Sequence, residues 1–317
     1  MPAGLHADWN DCLQLGAKGE STFVAFQLYY ALNIMKEFCE DEPEYVQYLD
    51  EQAAKLLKIL NDKCFEGDRF VRGYRDNGDV IGSKKHNEAN MWLNPQSWAV
   101  ISRGATAEQA EAIMQTAYDK LNTPYGLEVM QPSYRHEYFE GARMRLFNPG
   151  TKENGGIFCQ IQGWAILAEA LIGHGNRAFL YFRESSPSTF NDNADLRVIE
   201  PYVHGQFIEG HESPFAGRAH VHWLTGTAST VMVGCVEGIL GLRPTLKGIV
   251  ISPAIPSEWD GFTMEKVFRG KKLHITVNNL AHKEGNPEKY ILNGEEHDAG
   301  LILESELKDE NYITVVM

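Results

Sequence analysis

Five stretches of the chain carry apolar residues at three- and four-residue steps, the spacing that lines one face of a helix. Residues 21–39 hold Phe23, Phe26, Tyr30, Ile34 and Phe38 in this way. Residues 43–64 repeat it with Val46, Leu49, Ala53, Leu56, Leu57 and Leu60, and Pro43 suits a first helical turn. Thr106 with Gln109 makes a capping-box pattern ahead of Ala110, Ile113, Met114, Ala117 and Leu121. Trp164, Leu167, Ala168, Leu171 and Ile172 predict a fourth helix, stopped by Gly173 and Gly175, and residues 228–240 a fifth. Loops rich in Gly, Pro and aromatic residues are expected at 66–98, 123–162 and 185–226. Helices joined by long decorated loops suit an α/α toroid with its site at the loop mouth. After about residue 246 the period changes. Ile249-Val250-Ile251 is a short apolar run, and 263–268 and 273–278 flank the turn-like Arg269-Gly270-Lys271-Lys272. Asn293-Gly294 is a type I′ turn dipeptide, and Tyr312–Val316 could close a sheet. The expectation is a mainly α fold: a helical, toroid-like part over 1–246, then a small β-sandwich-like domain over 247–317.

Composition narrows the function. The 317 residues suffice for one large or two ordinary domains. A net charge of −14 argues against a nucleic-acid groove or a polybasic membrane surface, though local Lys and Arg can still hold a phosphate. No signal-peptide pattern or 18-residue apolar run is visible. The five cysteines, Cys12, Cys39, Cys64, Cys159 and Cys235, are scattered and form no CxxC, which favours a reduced, cytoplasmic setting over a disulfide framework or a zinc site.

Three short segments carry candidate chemistry. Ala7-Asp8-Trp9-Asn10-Asp11 sets two carboxylates around a tryptophan, a proton donor beside a flat face on which a sugar ring can stack. The plainer reading makes Asp8 and Asp11 loop-ordering Asx-turn residues and Trp9 a core residue. Lys152-Glu153-Asn154-Gly155-Gly156-Ile157-Phe158 places a charged pair in a glycine-constrained loop, where backbone can approach a ligand; a lone Lys-Glu pair is more often a solvated ion pair. Trp223-Leu224-Thr225-Gly226-Thr227-Ala228 precedes a helix and offers hydroxyls and backbone N–H groups to an anion, with a plain N-cap as the alternative. His220 and His222 lack a third partner for a metal, and no GxGxxG or P-loop supports a nucleotide.

In this order and spacing, the segments resemble the C-terminal half of the inverting disaccharide phosphorylases of glycoside hydrolase family 94, which includes cellobiose, chitobiose and cellobionic acid phosphorylases. The resemblance spans about residues 4–280. It implies an (α/α)6 barrel, of which this chain carries the second part plus the C-terminal β-domain, so the chain is expected to be a fragment. It also implies phosphorolysis of a β-linked glucosyl disaccharide to α-glucose 1-phosphate and a free acceptor sugar, with inorganic phosphate as co-substrate, no metal or organic cofactor, and a homodimer for the full-length protein. Carried over to this sequence, Asp11 is the single general acid. Trp9, Lys152, Glu153 and Gln162 bind sugar, and Gln160, Thr225 and Gly226 bind phosphate. Gln160 departs from the family, which has a histidine there; an amide still donates a hydrogen bond but carries no charge. A register slip onto Gln162 would account for the same difference. Glu200–His204 resembles a loop over the site, with His204 either an acceptor contact or structural. Arg143 and Arg145, before Lys152, hint at an acidic acceptor. The family's phosphate-binding arginine belongs upstream of this chain. Two other readings remain open: an inverting hydrolase, with Glu153 or Glu200 as a second carboxylate roughly 6.5–9.5 Å from Asp11, and an inactive sugar-binding fragment.

Overall fold

The computed structural model describes residues 7–137 and 141–317. Eight α-helices occur among the described residues: α1 (Thr22–Phe38), α2 (Pro43–Ile59), α3 (Leu93–Ile101), α4 (Ala107–Leu121), α5 (Cys159–Leu171), α6 (Gly175–Ser185), α7 (Ala194–Arg197) and α8 (Thr227–Val233). Short strands stand between them, and a strand-rich region follows from Leu242 to Val316. The chain therefore combines a helical part with a β part.

Local chemistry sets the helix ends. Ser21 caps α1 by accepting the Val24 N–H at 3.2 Å. The capping box at α4 is reciprocal: Thr106 Oγ1 accepts the Gln109 N–H, and Gln109 Oε1 accepts the Thr106 N–H. Pro43 occupies the first turn of α2, which continues into a wide turn over Leu60–Cys64. Three helices fall where loops are expected or go unread: α3, α6 and α7. In α3 eight of nine residues are buried, so no polar face marks its period. Helix α5 starts at Cys159, five residues before the expected Trp164, which puts Gln160 and Gln162 in its first turn.

The residues group into two compact units. One holds residues up to Ala165 together with Tyr181–Val231. In it α1 packs on α2 and α3, and α3 on α4, around Phe23, Phe26, Leu60, Leu93 and Ile113. A three-stranded sheet in the same unit joins Ile157–Phe158, Gly205–Ile208 and Ala219–His222 in antiparallel register, Ile157↔Ile208 and Phe158↔Phe207 on one side, Ala219↔Ile208 and His220↔Phe207 on the other. One face buries Ile157, Ile208 and Ala219 with Cys159. Side chains alternate across a strand, so Phe158, Phe207 and His220 share the other face.

The second unit holds Ile166–Leu180 and Met232–Met317. Its five-stranded sheet runs in the order Gly261–Phe268, Lys271–Asn278, Glu310–Val316, Lys289–Leu292, Glu295–His297, with the second and third strands parallel. Leu273, Ile275, Val277, Ile313 and Val315 are all buried, the alternation of a sheet with one core face. The first hairpin turns on Arg269-Gly270 alone, since Phe268 pairs with Lys271, and both turn residues have positive φ. Asn293-Gly294 makes the same kind of turn, at φ 52° and 91°.

Candidate active site

The site begins with a buried ion pair. Asp8 and Arg72 side chains are both 0% exposed and meet in a double contact, Nη1 to Oδ2 and Nη2 to Oδ1, each 2.6 Å. Asp8 also accepts the Ser21 hydroxyl at 2.6 Å and the Asn10 N–H at 2.9 Å. Arg72 reaches Asn10 Oδ1 at 2.7 Å and lies against the rings of Phe23 and Trp92. Burial by itself would raise the Asp8 carboxyl, but the Arg72 charge and these hydrogen bonds outweigh it and hold the group below the ordinary carboxylate value. Asp8 is therefore the anchor of its loop, and Arg72, 64 residues away, is the partner that sequence reading missed.

The anchored turn, closed by the Leu13 N–H on the Asn10 carbonyl, leaves Asp11 exposed. The next N–H, of Cys12, points at the Glu153 carboxylate, 3.2 and 3.4 Å from its oxygens. Glu153 is 7% exposed. Burial pushes its carboxyl up, and the nearby Asp11 charge pushes the same way against the hydrogen bonds from Cys12 and Asn10. The loop that carries it is tightly wound. Thr151 bridges to Asn154, the Gly156 N–H returns to the Lys152 carbonyl, and Lys152 itself has φ 48°. Gly155 has φ 80°, and a Cβ there would sit 2.1 Å from Ser133 Oγ, so only glycine fits. The Lys152 ammonium lies 5.3 Å from the Phe147 ring and 6.0 Å from Phe207.

Trp9 joins this acid loop to the third segment. Its half-buried indole stands edge-on to Phe158 and Trp164 at 5.0 and 5.8 Å, and Nε1 donates to Gln160 Oε1 at 3.0 Å. With its oxygen occupied, the Gln160 amide turns its nitrogen toward Gly226: a Cβ on that glycine would lie 3.4 Å from Nε2. The Gln160 carbonyl accepts the Thr230 hydroxyl at 2.8 Å, which fixes the segment after Gly226 to the start of α5. Thr225 Oγ1 lies 2.5 Å from Thr227 Oγ1 and accepts the Thr227 N–H at 3.2 Å, while Thr227 is buried and Gly226 exposed. Asp11, Trp9, Glu153, Gln160, Thr225 and Gly226 thus form one connected neighbourhood.

Gln162 does not join it. Residues two apart on a helix face different ways, and Gln162, 0% exposed, clamps the Leu127 backbone, accepting its N–H at 2.9 Å and donating to its carbonyl at 2.8 Å. The structure thus engages Gln162, expected to contact sugar, with the Leu127 backbone instead, and places Gln160 beside Gly226. The ring of His204 is half-buried, and burial first, then the Arg197 charge, lowers its basicity. Glu200 accepts the exposed Trp223 Nε1 at 3.1 Å. Arg143 is exposed, and its N–H donates to the Cys12 carbonyl, which lays its segment beside the acid loop. All five cysteines are free. Among the described residues no cluster of three His, Cys, Asp or Glu is placed to hold a metal ion, and no helix is long and apolar enough to cross a membrane.

Comparison with known proteins agrees with the motifs. The chain is 35% identical over 295 residues to an N,N'-diacetylchitobiose phosphorylase of Vibrio proteolyticus, covering 92% of this chain and 37% of that one. It is 33% identical over 320 residues to the enzyme of the same name from Vibrio furnissii, covering 99% and 39%. It is 32% identical over 296 residues to a solabiose phosphorylase of Paenibacillus borealis, covering 91% and 38%. The chain therefore spans less than two fifths of the length of these relatives. The sequence model described as the glycosyl hydrolase 94 superfamily catalytic domain matches residues 1–241. Over that span, which includes every segment of the site, the chain belongs to the glycosyl hydrolase 94 superfamily.

Proposed function

We propose that the protein cleaves a β-linked disaccharide by inverting phosphorolysis, on the second part of an (α/α)6 toroid that residues 1–246 contribute. A phosphate oxygen bonds to the anomeric carbon as the glycosidic C–O bond breaks, and the products are a sugar 1-phosphate of inverted configuration and the free acceptor sugar. Asp11 gives its proton to the departing glycosidic oxygen. Thr225, Gly226 and the Gln160 amide bind the phosphate with neutral donors, and Trp9 packs on the sugar while orienting Gln160. Lys152 and Glu153 bind the sugars flanking the scissile bond, and the donor substrate is a β-glucoside such as cellobiose. Neither a metal nor an organic cofactor takes part, and the five free thiols suit a reducing cytoplasm.

The observation that carries this reading is the convergence of three distant segments on one exposed carboxylate: Asp11 between a buried anchor and buried Glu153, with Trp9 linked to Gln160 beside Gly226. A hydrolase would need a second carboxylate free to activate water. Glu153 is buried with its oxygens on the Cys12 N–H, and Glu200 is engaged by Trp223, so phosphorolysis is favoured.

The test is turnover of cellobiose, laminaribiose, N,N'-diacetylchitobiose and cellobionate with and without phosphate, in the parent protein and in Asp11→Asn. A sugar 1-phosphate that forms only with phosphate and vanishes in the variant is the expected result. Release of free sugars at equal rates without phosphate would replace this reading by hydrolysis.

A further inference from the structure

Glu128 is a carboxylate with 0% exposure and no part in the chemistry above. It follows the strand Gly126–Leu127, and its oxygens are filled by donors from two directions. Oε1 accepts the His211 N–H at 2.7 Å, and Oε2 accepts the Gln131 amide at 2.6 Å. The His211 ring lies across both oxygens, with Nδ1 2.9 Å from each. A carboxylate at Nδ1 keeps the proton on that nitrogen and turns Nε2 outward, on a side chain 58% exposed. A carboxylate taken out of water destabilises the fold unless its oxygens are satisfied in this way. An apolar side chain would pack there without that cost, but it could not grip His211.

His211 belongs to the turn 209–213, and that turn carries the Lys152 loop. The Gly210 N–H donates to the Gly150 carbonyl at 2.7 Å. A Cβ on Gly210 would sit 2.3 Å from Glu128 Oε1 and 2.3 Å from the Gly155 carbonyl oxygen. The backbone at Gly210 is therefore wedged between the Glu128 carboxylate and the loop that bears Lys152 and Glu153, with no room for a side chain. Glu209, one residue earlier, braces the same turn: it is 7% exposed, accepts the Ser213 hydroxyl and lies 2.6 Å from His220 Nε2. Glu212 accepts the Ser133 N–H at 2.8 Å, and the Ser133 hydroxyl donates to the Asn154 carbonyl at 3.0 Å. The loop has glycines at 150, 155 and 156 and little stiffness of its own, so these outside contacts set its place.

We infer that Glu128 is a positioning residue: by gripping His211 it holds Gly210 against the Lys152 loop and so sets where Lys152 and Glu153 meet the disaccharide. The identity of that ligand rests on the phosphorolysis reading; the grip on the loop does not. Two substitutions weaken the grip to different degrees. Glu128→Gln keeps the volume but turns an amide nitrogen toward groups that all donate. His211→Ala removes only the exposed ring and leaves the backbone N–H on Glu128, a milder loss.

The experiment assays phosphorolysis of cellobiose and N,N'-diacetylchitobiose by the parent and both variants, varying sugar and phosphate in turn. Hydrogen exchange by mass spectrometry is followed in the same proteins over residues 148–158, with α1 as the reference. The expected result is a disaccharide KM raised about tenfold in Glu128→Gln, the loss of one hydrogen bond to a charged group, and about threefold in His211→Ala. The phosphate KM should stay within about twofold, since the Trp9–Gln160 bond and Gly226 take no part in the grip. Exchange over 148–158 should quicken in both variants while α1 keeps its parent rate. A disaccharide KM at the parent value overturns the inference, whether or not exchange quickens, and so does a rise confined to the phosphate KM. A lower melting temperature and kcat with both KM values unchanged would mark a merely structural carboxylate and overturn it too. Should Glu128→Gln not fold, His211→Ala gives the same decision. If the parent turns over neither sugar, the phosphorolysis reading fails and exchange decides the grip alone: faster exchange over 148–158 upholds it, and parent rates refute it.

Discussion

Replacing Asp8 by Asn should damage both stability and catalysis although the Asp8 side chain is fully buried. The substitution leaves the Arg72 guanidinium fully buried between Phe23 and Trp92 with no opposing charge. Removing one partner of a buried pair costs about 3–5 kcal/mol. The amide retains one acceptor for the Asn10 N–H or for Arg72, which argues for the lower half of that range. For a unit of this size each kcal/mol lowers the melting temperature by about 2–4 °C, so a fall of roughly 6–16 °C is expected. The double variant Asp8→Leu with Arg72→Met should recover much of the loss, because it leaves no uncompensated charge. The pH dependence has a definite sign. Asp8 titrates lower when folded than its usual 3.8, so its contribution is complete above about pH 4 and disappears as pH falls through the folded-state value. The acid loop hangs from this pair through the Asn10 N–H, so kcat should fall with the melting temperature, and the single and double variants should separate the two: the double variant regains stability but not kcat. Scanning calorimetry and phosphorolysis assays on the three proteins test this. A single variant that melts within 1 °C of the parent with unchanged kcat would refute the anchor role.

Other outcomes follow from the same geometry. Gly155→Ala puts a Cβ 2.1 Å from Ser133 Oγ at a φ of 80°, so it should lower the melting temperature and raise the disaccharide KM as the Lys152 loop shifts. Gln160→Glu sets a negative charge beside Gly226 and should raise the phosphate KM more than about tenfold, while Trp9→Phe, which releases the Gln160 amide from its 3.0 Å bond and shrinks the ring proposed to pack on the sugar, should raise it a few-fold. Burial raises the Glu184 carboxyl to about 7, partly offset by Asn122. Its folded value exceeds the unfolded one, so stability falls as pH rises from about 4.5 through 7. Glu184→Gln should then stabilise at pH 8 by about 1 kcal/mol after discounting for its exposed face, and not at pH 4, as urea midpoints at the two values would register.

What could be read from the sequence is what is encoded locally. The apolar stripes of α1, α2 and α4 and the Thr106–Gln109 box follow from residues within one or two turns of each other. The turns at Arg269-Gly270 and Asn293-Gly294 follow from the positive φ that their glycines permit. Helix α3 escaped because burial on all sides erases periodicity, and Pro95 near its start argues against a helix when read alone. The motif residues Asp11, Trp9, Gln160, Thr225 and Gly226 were recognisable as short strings. Their supports were not: Arg72 and Glu209 look like any surface charge until the fold buries them.

The same distinction separates Gln162 from Gln160. Gln160 and Gln162 are equivalent as letters, and with a helix expected only from Trp164 both lay in a loop where either could face a ligand. Once α5 begins at Cys159, the helical step between them decides the matter: about 200° of rotation sends one amide to Trp9 and the other to the Leu127 backbone. The helix start is in turn fixed from outside, by Thr230 bonding the Gln160 carbonyl and by the pairing of Phe158 with Phe207. These contacts bridge 70 and 49 residues, and Trp9 reaches Gln160 across 151. Which glutamine lies beside Gly226 is therefore a property of the assembled sheet and not of the segment. A variant that breaks Thr230's bond, Thr230→Val, should on this argument raise the phosphate KM without altering any group that binds phosphate, and an unchanged KM would show that α5 fixes its own first turn.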